Sequence, residues 1–266
     1  MSPESSDTKN NPWNSQSELA LEIESQSCPV DYGQLIADSS VLLLGENHGN
    51  NSISSIRTHL ADQAKALRDA GITHYAIEAP PNEVFDRLNK GEQVDLNSVQ
   101  LGPPMPNTNY EETIRAMVSE GIVVVPIDAD QKTDQKSGEE RNQHITNNIR
   151  KVLLNSPGAK IAVLIGGFHA DRRRDNDVAH SLIEDGVSVT SVQFSGGDET
   201  KSPSSFLGAT SQAGLYSKDF MMDLRHYKGM SGVVFGGGEA YDYVVHLAEH
   251  PKTTQTMSGF LGRLSL

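Results

Sequence analysis

The chain has 266 residues, 36% of them hydrophobic, which suits one large α/β domain whose core needs no covalent staples. A net charge of −13 and a pI near 5.1 set up a field that repels polyanions, so nucleic acid and anionic membrane are disfavoured as partners. Cys28 is the single cysteine, which excludes an intrachain disulfide and a cysteine-based zinc site and favours a reducing compartment.

Residues 1–27 are rich in Ser, Asn, Thr and Gln and hold little apolar surface to offset ordering entropy, so they read as a flexible, disordered leader with the composition of a non-cleaved secretion signal. They lack a basic region followed by an apolar core, and no apolar run anywhere approaches the roughly 20 residues of a membrane helix. The expectation is a soluble protein without a membrane span. Residues 28–266 then form the folded unit.

Apolar runs of strand length follow in order: "VLLLG" (41–45), "HYAIEAP" (74–80), "GIVVVPIDAD" (121–130), "AKIAVLIGGFH" (159–169), "GVSVTSVQF" (186–194), "SGVVFGG" (231–237) and "YDYVVHL" (241–247). Most are too continuous for strands with one wet face and suit parallel strands buried on both sides. Between them lie helical patterns. "SISSIRTHLADQAKALRDAG" has an apolar stripe ending at Gly71, "YEETIRAMVSEG" ends at Gly121, and "SGEERNQHITNNIRKVLLNSPG" carries Ile145, Ile149, Val152 and Leu153 on one face. "DNDVAHSLIEDG" leads into the next strand. The alternation predicts a single α/β domain with a mainly parallel central sheet flanked by helices. Residues 80–110, with five prolines, and residues 195–230 interrupt the rhythm and read as loop excursions, apart from a short helix at "NEVFDRLNKG".

Ionisable residues collect at the carboxyl ends of these strands: Glu46 and His48 after the first, Glu78 after the second, Asp128 and Asp130 after the third, His169 after the fourth. Open α/β sheets bind ligands outside those ends. "GENH" and "GGFH" both fit G-x-x-H directly after an apolar strand, so two imidazoles are expected to face one crevice. A histidine there serves either as general base toward water or as a metal ligand, and Glu46 or Glu78 orients it, holds a metal or takes a proton. Glu78 ends an apolar strand, where a carboxylate needs a partner; Arg57 and Arg141 are the candidates, with a solvated helix face as the plain alternative for each.

Other patterns carry less. "HLAEH" (246–250) fits H-x-x-E-H, but Pro251 follows at once and no Asp, Glu or His occurs from 251 to 266. "FGGGEA" (235–240) lacks the spacing and the lysine of phosphate loops, so it reads as a loop. "DRRRD" (171–175) reads as a solvated helix-capping cluster. No G-x-S-x-G elbow occurs, and Cys28 lies beside the leader, so a serine or cysteine nucleophile has little support.

"LLLGENHGN", "YAIEAP", "VVPIDAD", "GEERNQHI", "LIGGFHA" and "YDYVVHL" resemble, in order, the motif series of the superfamily that unites erythromycin esterases, ChaN-type haem-uptake proteins and the TraB/Tiki proteins. The resemblance implies a pocket lined by Glu46, His48, Glu78 and His169 with Arg57 and Arg141 beside them. It implies water activation at His48 by analogy with the esterases. By analogy with the Tiki branch it implies a divalent metal on His48, His169 and Glu46. One residue, Asn47, separates Glu46 from His48, whereas the esterases have two, so macrolide hydrolysis is not expected. Neither the lipid anchor of ChaN nor the tether of Tiki is found, and the branch that fits is the soluble plant-pathogen type III effector of the HopBA type.

The expected function is therefore a type III secreted effector with a hydrolase-like, metal-assisted pocket, acting in the host cell cytoplasm on a host protein or small-molecule substrate and provoking cell death or immunity. If it is not secreted, the bacterial cytoplasm is its expected place. Two alternatives stand beside this reading: a non-catalytic module that binds a host protein, and a haem-binding module using His48 or His169.

Overall fold

The computed structural model describes residues 9–10, 15–46, 52–96, 99, 110–129, 138–196, 204–228 and 237–248. In chain order these form β1 (Lys9–Asn10), α1 (Gln16–Gln26), α2 (Tyr32–Ile36), β2 (Val41–Glu46), α3 (Ser52–Asp62), α4 (Ala64–Asp69), β3 (His74–Ile77), α5 (Glu83–Asn89), α6 (Tyr110–Ser119) and β4 (Val123–Pro126). There follow α7 (Gly138–Asn155), β5 (Ile161–Gly166), α8 (Gly167–Ala170), α9 (Val178–Glu184), β6 (Val189–Gly196), α10 (Ser204–Gln212), β7 (Phe220–Asp223), β8 (Tyr227–Lys228), α11 (Gly237–Ala240) and β9 (Tyr243–Leu247).

Seven of the described strands make one sheet in the order β4-β3-β5-β2-β6-β9-β7, parallel throughout except for β7, which runs antiparallel to β9. This is the α/β architecture expected from the continuous apolar runs. Alternate residues of each strand enter different cores. Leu42 and Leu44 of β2 pack with α2 to α6, while Val41 and Leu43 pack with α1, α7, α9 and α10. All six residues of β2 and of β5 are buried, as two-sided burial in a parallel sheet demands.

The connections set the position of a crevice. The chain leaves β2 through α3 on one face and leaves the adjacent β5 through α8 and α9 on the other. Neighbouring strands whose followers diverge in this way open a gap at their carboxyl ends, the general ligand position of open α/β sheets. Gly45 lets α8 close over that end. A Cβ there would lie 3.0 Å from the Val192 carbonyl oxygen, 3.2 Å from Gly167 Cα and 3.3 Å from Ala170 Cβ.

Four expectations change. Residues 16–26 are not a flexible leader. They form α1, capped by Ser15, whose Oγ accepts from the Glu18 N–H, and Leu19, Ala20 and Ile23 are buried, with α1 packed on α10. Three apolar residues at helical spacing give the segment a face to bury, which its overall composition conceals. Residues 195–230 are not a loop excursion, because they supply α10 and the edge strand β7. The long helix expected at 52–71 breaks at Gln63 into α3 and α4. The cluster at 171–175 is not merely solvated: Asp171 is buried against Arg173, and Arg172 ion-pairs with the buried Asp242. The expected strand at 231–237 falls on residues outside the description up to 236, with Gly237 in α11.

Both sheet edges are covered. On β4, the Asn89 side chain donates to the Val124 carbonyl at 2.8 Å and accepts from its N–H at 2.9 Å. On β7, Cys28 and Met221 exchange backbone hydrogen bonds of 3.0 and 2.8 Å. Free edges template association, so these bonds keep the sheet from extending.

Candidate functional site

Glu46 is the last residue of β2 and pairs in register with Gly166 at the end of β5. Glu78 follows β3 by one residue, Asp128 follows β4 by two, and His169 lies on the single turn of α8 that continues β5. Their side chains fall into two charged groups at one end of the sheet.

The first group centres on Arg141, in the first turn of α7. Its Nη2 donates to Glu78 Oε1 at 2.6 Å and to Asp128 Oδ2 at 2.7 Å, and its Nε donates to Asp128 Oδ1 at 3.0 Å. Glu78 and Asp128 are each 1% exposed, and each has a second donor: Gly166 N–H to Glu78 Oε2 at 2.8 Å and Ala129 N–H to Asp128 Oδ1 at 2.7 Å. Burial works against the charge on Arg141, but its bonds to Asp128 and the charges of Glu78 and Asp128 prevail and hold its pKa above the usual guanidinium value. Arg141 is therefore a fixed cation at any working pH.

His169 completes this group. Its Nε2 is 3.2 Å from Arg141 Nη1 and 3.9 Å from Glu78 Oε1, and its Nδ1 is 2.8 Å from Asp177 Oδ1. A guanidinium has only hydrogens to give, so the Nε2 facing it acts as acceptor and Nδ1 carries the proton toward Asp177. In this arrangement the Nε2 lone pair accepts from the guanidinium. The side chains of Arg141 and His169 are 25% and 20% exposed, so solvent reaches the group through them.

The second group is Glu46 with Arg57 of α3. Arg57 Nη2 donates to Glu46 Oε1 at 3.1 Å, both side chains are buried, and the guanidinium lies 3.4 Å above the Tyr110 ring centroid. Thr113 Oγ1 donates to the Arg57 carbonyl at 2.8 Å. Burial and then the Glu46 charge push the Tyr110 hydroxyl well above the usual phenol range, so it stays protonated. The exposed-face alternative for Arg57 does not hold, and its pairing is with Glu46 where Glu78 had been the expected partner.

Of the six site residues read from the sequence, Glu78, Arg141 and His169 are in contact, Glu46 and Arg57 form a neighbouring pair, and His48 lies outside the described residues, as does Asp130. Asp177 was missed. It follows a cluster of charges and sits at the N-cap position of α9, where an Asp invites a structural explanation.

Of the three expected metal ligands, His48 lies outside the described residues, which leaves Glu46 and His169 as the described donors. Among the described residues no three His, Cys, Asp or Glu groups converge, Glu46 is paired with Arg57, and the cationic place between Glu78, Asp128 and His169 is taken by Arg141. A divalent ion in that place would have to displace the guanidinium.

Two other features stand apart from this chemistry. A cleft of about 630 Å³ lined by Cys28, Tyr32, Ala66 and Asp69 contains no residue of either charged group. Burial, then the charges of Asp31 and Asp223, raise the Cys28 pKa, which makes it a poor nucleophile. His246 of "HLAEH" sits on strand β9 with its ring stacked on Phe220, not on the helix a zinc-protease motif requires.

No family model and no curated protein matches the chain. Its fold is similar to that of a Bacillus cereus protein of known crystal structure, with a TM-score of 0.59 at 12% identity over 90% of this chain and 98% of that one. Also similar are the type III effector HopBA1 (TM-score 0.49, 12% identity, 82% of this chain and 92% of that one) and ChaN of Campylobacter jejuni, which binds haem cofacially (0.44, 11%, 86% and 90%). HopBA1 and ChaN are the branches named from the motif series. At such identities the likeness is one of fold. No helix among the described residues is long and apolar enough to cross a membrane.

Proposed function

We propose that the chain is a hydrolase whose attacking water is activated at His169, and that it acts as a secreted effector on a host protein or small molecule inside the host cell, provoking cell death or an immune response. The observation that carries the hydrolase reading is a partly exposed His169 imidazole whose Nε2 accepts from the Arg141 guanidinium beside two buried carboxylates. Arg141 Nη1 turns from Nε2 to the substrate oxygen as substrate enters, and water bound at the freed Nε2 gives it a proton as its oxygen attacks the substrate. The terminal nitrogens of Arg141 steady the negative charge that develops, and the proton passes from Nε2 to the leaving group. Glu78 and Asp128 hold Arg141 in place. The Glu46–Arg57 pair anchors the end of β2, and His48, outside the described residues, is given no step. The effector part rests on the ordered motif series and on the Ser- and Asn-rich first residues.

The test is His169→Ala, a substitution at a partly exposed side chain that should leave the fold intact. The parent is expected to hydrolyse a 4-nitrophenyl ester and to evoke a response when expressed in host leaf cells, and the variant to lose both. A full host response from the variant sinks the catalytic reading. One observation favours a non-catalytic effector in its place: the donors of Arg141 already engage Glu78, Asp128 and His169 together, as they would in a pocket that is idle. That reading predicts an undiminished response from His169→Ala.

A further inference from the structure

The loop from Asp171 to Asp177 departs from local preference in two ways at one point. Asp177 occupies the N-cap position of α9, yet its side chain makes no capping hydrogen bond. An Asp at that position ordinarily accepts from the second or third helical N–H. The preceding residue, Asn176, has φ of +61°, the single left-handed non-glycine backbone among the described residues. Asn tolerates that conformation better than most residues, but it is still strained, and such strain gathers where a side chain must be aimed.

The Asp177 carboxylate is aimed at His169. Its Oδ1 accepts from His169 Nδ1 at 2.8 Å and from Asn142 Nδ2 at 2.7 Å, while its Oδ2 accepts from Arg174 Nε at 2.9 Å. Asn142 neighbours Arg141 on α7, and it also donates to the Asn176 carbonyl at 3.2 Å. The carboxylate is therefore gripped on both oxygens, at 4% exposure for the residue, and cannot turn back to the helix. A second histidine paired with a carboxylate, His59 with Asp219, offers a contrast: its Nε2 meets the Tyr32 hydroxyl at 3.0 Å and has no open side.

We infer that Asp177 is a positioning residue that fixes His169 as the Nδ1–H tautomer and so keeps the Nε2 lone pair turned toward Arg141 and Glu78. A carboxylate on Nδ1 also steadies the imidazolium that forms when Nε2 takes a proton. The tautomer assignment stands on the contacts alone; its catalytic consequence rests on the hydrolase reading.

The test is a long-range ¹H–¹⁵N correlation spectrum of the full chain labelled at histidine, with the His169 signals assigned by their loss in His169→Ala. The parent is expected to show a protonated Nδ1 and an unprotonated, pyridine-type Nε2. Asp177→Ser, which can cap α9 but cannot reach the ring, is expected to release the ring from its place against Arg141 and so move Nε2 toward the protonated, pyrrole-type position with an unchanged or higher Tm, whereas a tautomer set by Arg141 alone would stay as in the parent; Asp177→Glu is expected to restore part of the parent pattern. An unprotonated Nδ1 in the parent overturns the inference, whether or not any variant folds. So does a parent-like spectrum in Asp177→Ser. If the tautomer shifts as expected while the host response persists in every variant, the positioning role stands and the hydrolase reading falls.

Discussion

Replacing Arg141 with alanine removes a cation that bridges Glu78 and Asp128, and its effect on stability can be worked from the geometry. Both carboxylates are 1% exposed. Breaking a buried pair by deleting one partner costs roughly 3–5 kcal/mol, because the remaining charge stays uncompensated. Two considerations place the loss at the lower end. Each carboxylate keeps one backbone N–H, from Gly166 and from Ala129. The Arg141 side chain is 25% exposed, so water enters the space it leaves. We expect Arg141→Ala to lose about 3 kcal/mol, a large share of the ~5–15 kcal/mol total typical of native proteins. Urea unfolding followed by circular dichroism measures it. The combined variant Arg141→Met, Glu78→Gln, Asp128→Asn removes all three charges while keeping volume, and is expected to recover most of the loss. A single variant within about 1 kcal/mol of the parent, or a combined variant no better than the single one, would refute the reasoning.

Arg57→Ala should cost about 3–5 kcal/mol in the same assay, since it leaves Glu46 buried without its guanidinium and uncovers the Tyr110 ring; an exposed-face arginine would cost almost nothing. Leu19→Ala should cost about 2–5 kcal/mol, as for any fully buried leucine, whereas a flexible leader would tolerate it without change in Tm. Gly45→Ala should cost about 1–3 kcal/mol through overpacking against Val192 and Gly167. It should also shift the His169 imidazole resonances, because α8 has to move; an unshifted His169 would show that α8 does not depend on that close approach. Asn89→Ala frees the backbone of Val124 at the sheet edge, and light scattering should detect concentration-dependent association that the parent lacks.

The fold was legible because parallel strands buried on both faces leave continuous apolar runs, and because Gly71 and Gly121, at φ of 91° and 76°, close helices where the pattern stops. Strand β7 was not legible. "FMMD" is short, ends in a charge and pairs antiparallel at an edge, so neither length nor flanking turns marks it. Helix α1 was hidden by composition, since three buried side chains among many polar ones do not alter a segment average. In the site, Glu78 and His169 were readable as polar residues at the ends of apolar strands, and Arg141 as a candidate partner of Glu78. Asp177 was not, because a loop Asp before a helix already has an ordinary explanation in capping. Only the direction of its side chain, away from the helix, separates the two.

That difference bears on how the two charged groups divide their work. Glu46 and Arg57 are buried together, so changing either is chiefly a change in stability. Arg141 and His169 keep a fifth or more of their side chains in solvent although their partners are sealed inside, so this group joins a rigid base to an accessible tip. Rigid support under an accessible imidazole is what general-base chemistry requires, because the lone pair must be held in direction without being buried from its substrate. At Asn176 and Asp177 the chain accepts a left-handed residue and forgoes a helix cap, each unfavourable for folding alone. A loop selected only for stability would place Ser or Asp at the cap with its side chain turned to the helix. The geometry observed here is the one expected where the orientation of His169 matters more than the last increment of helix stability.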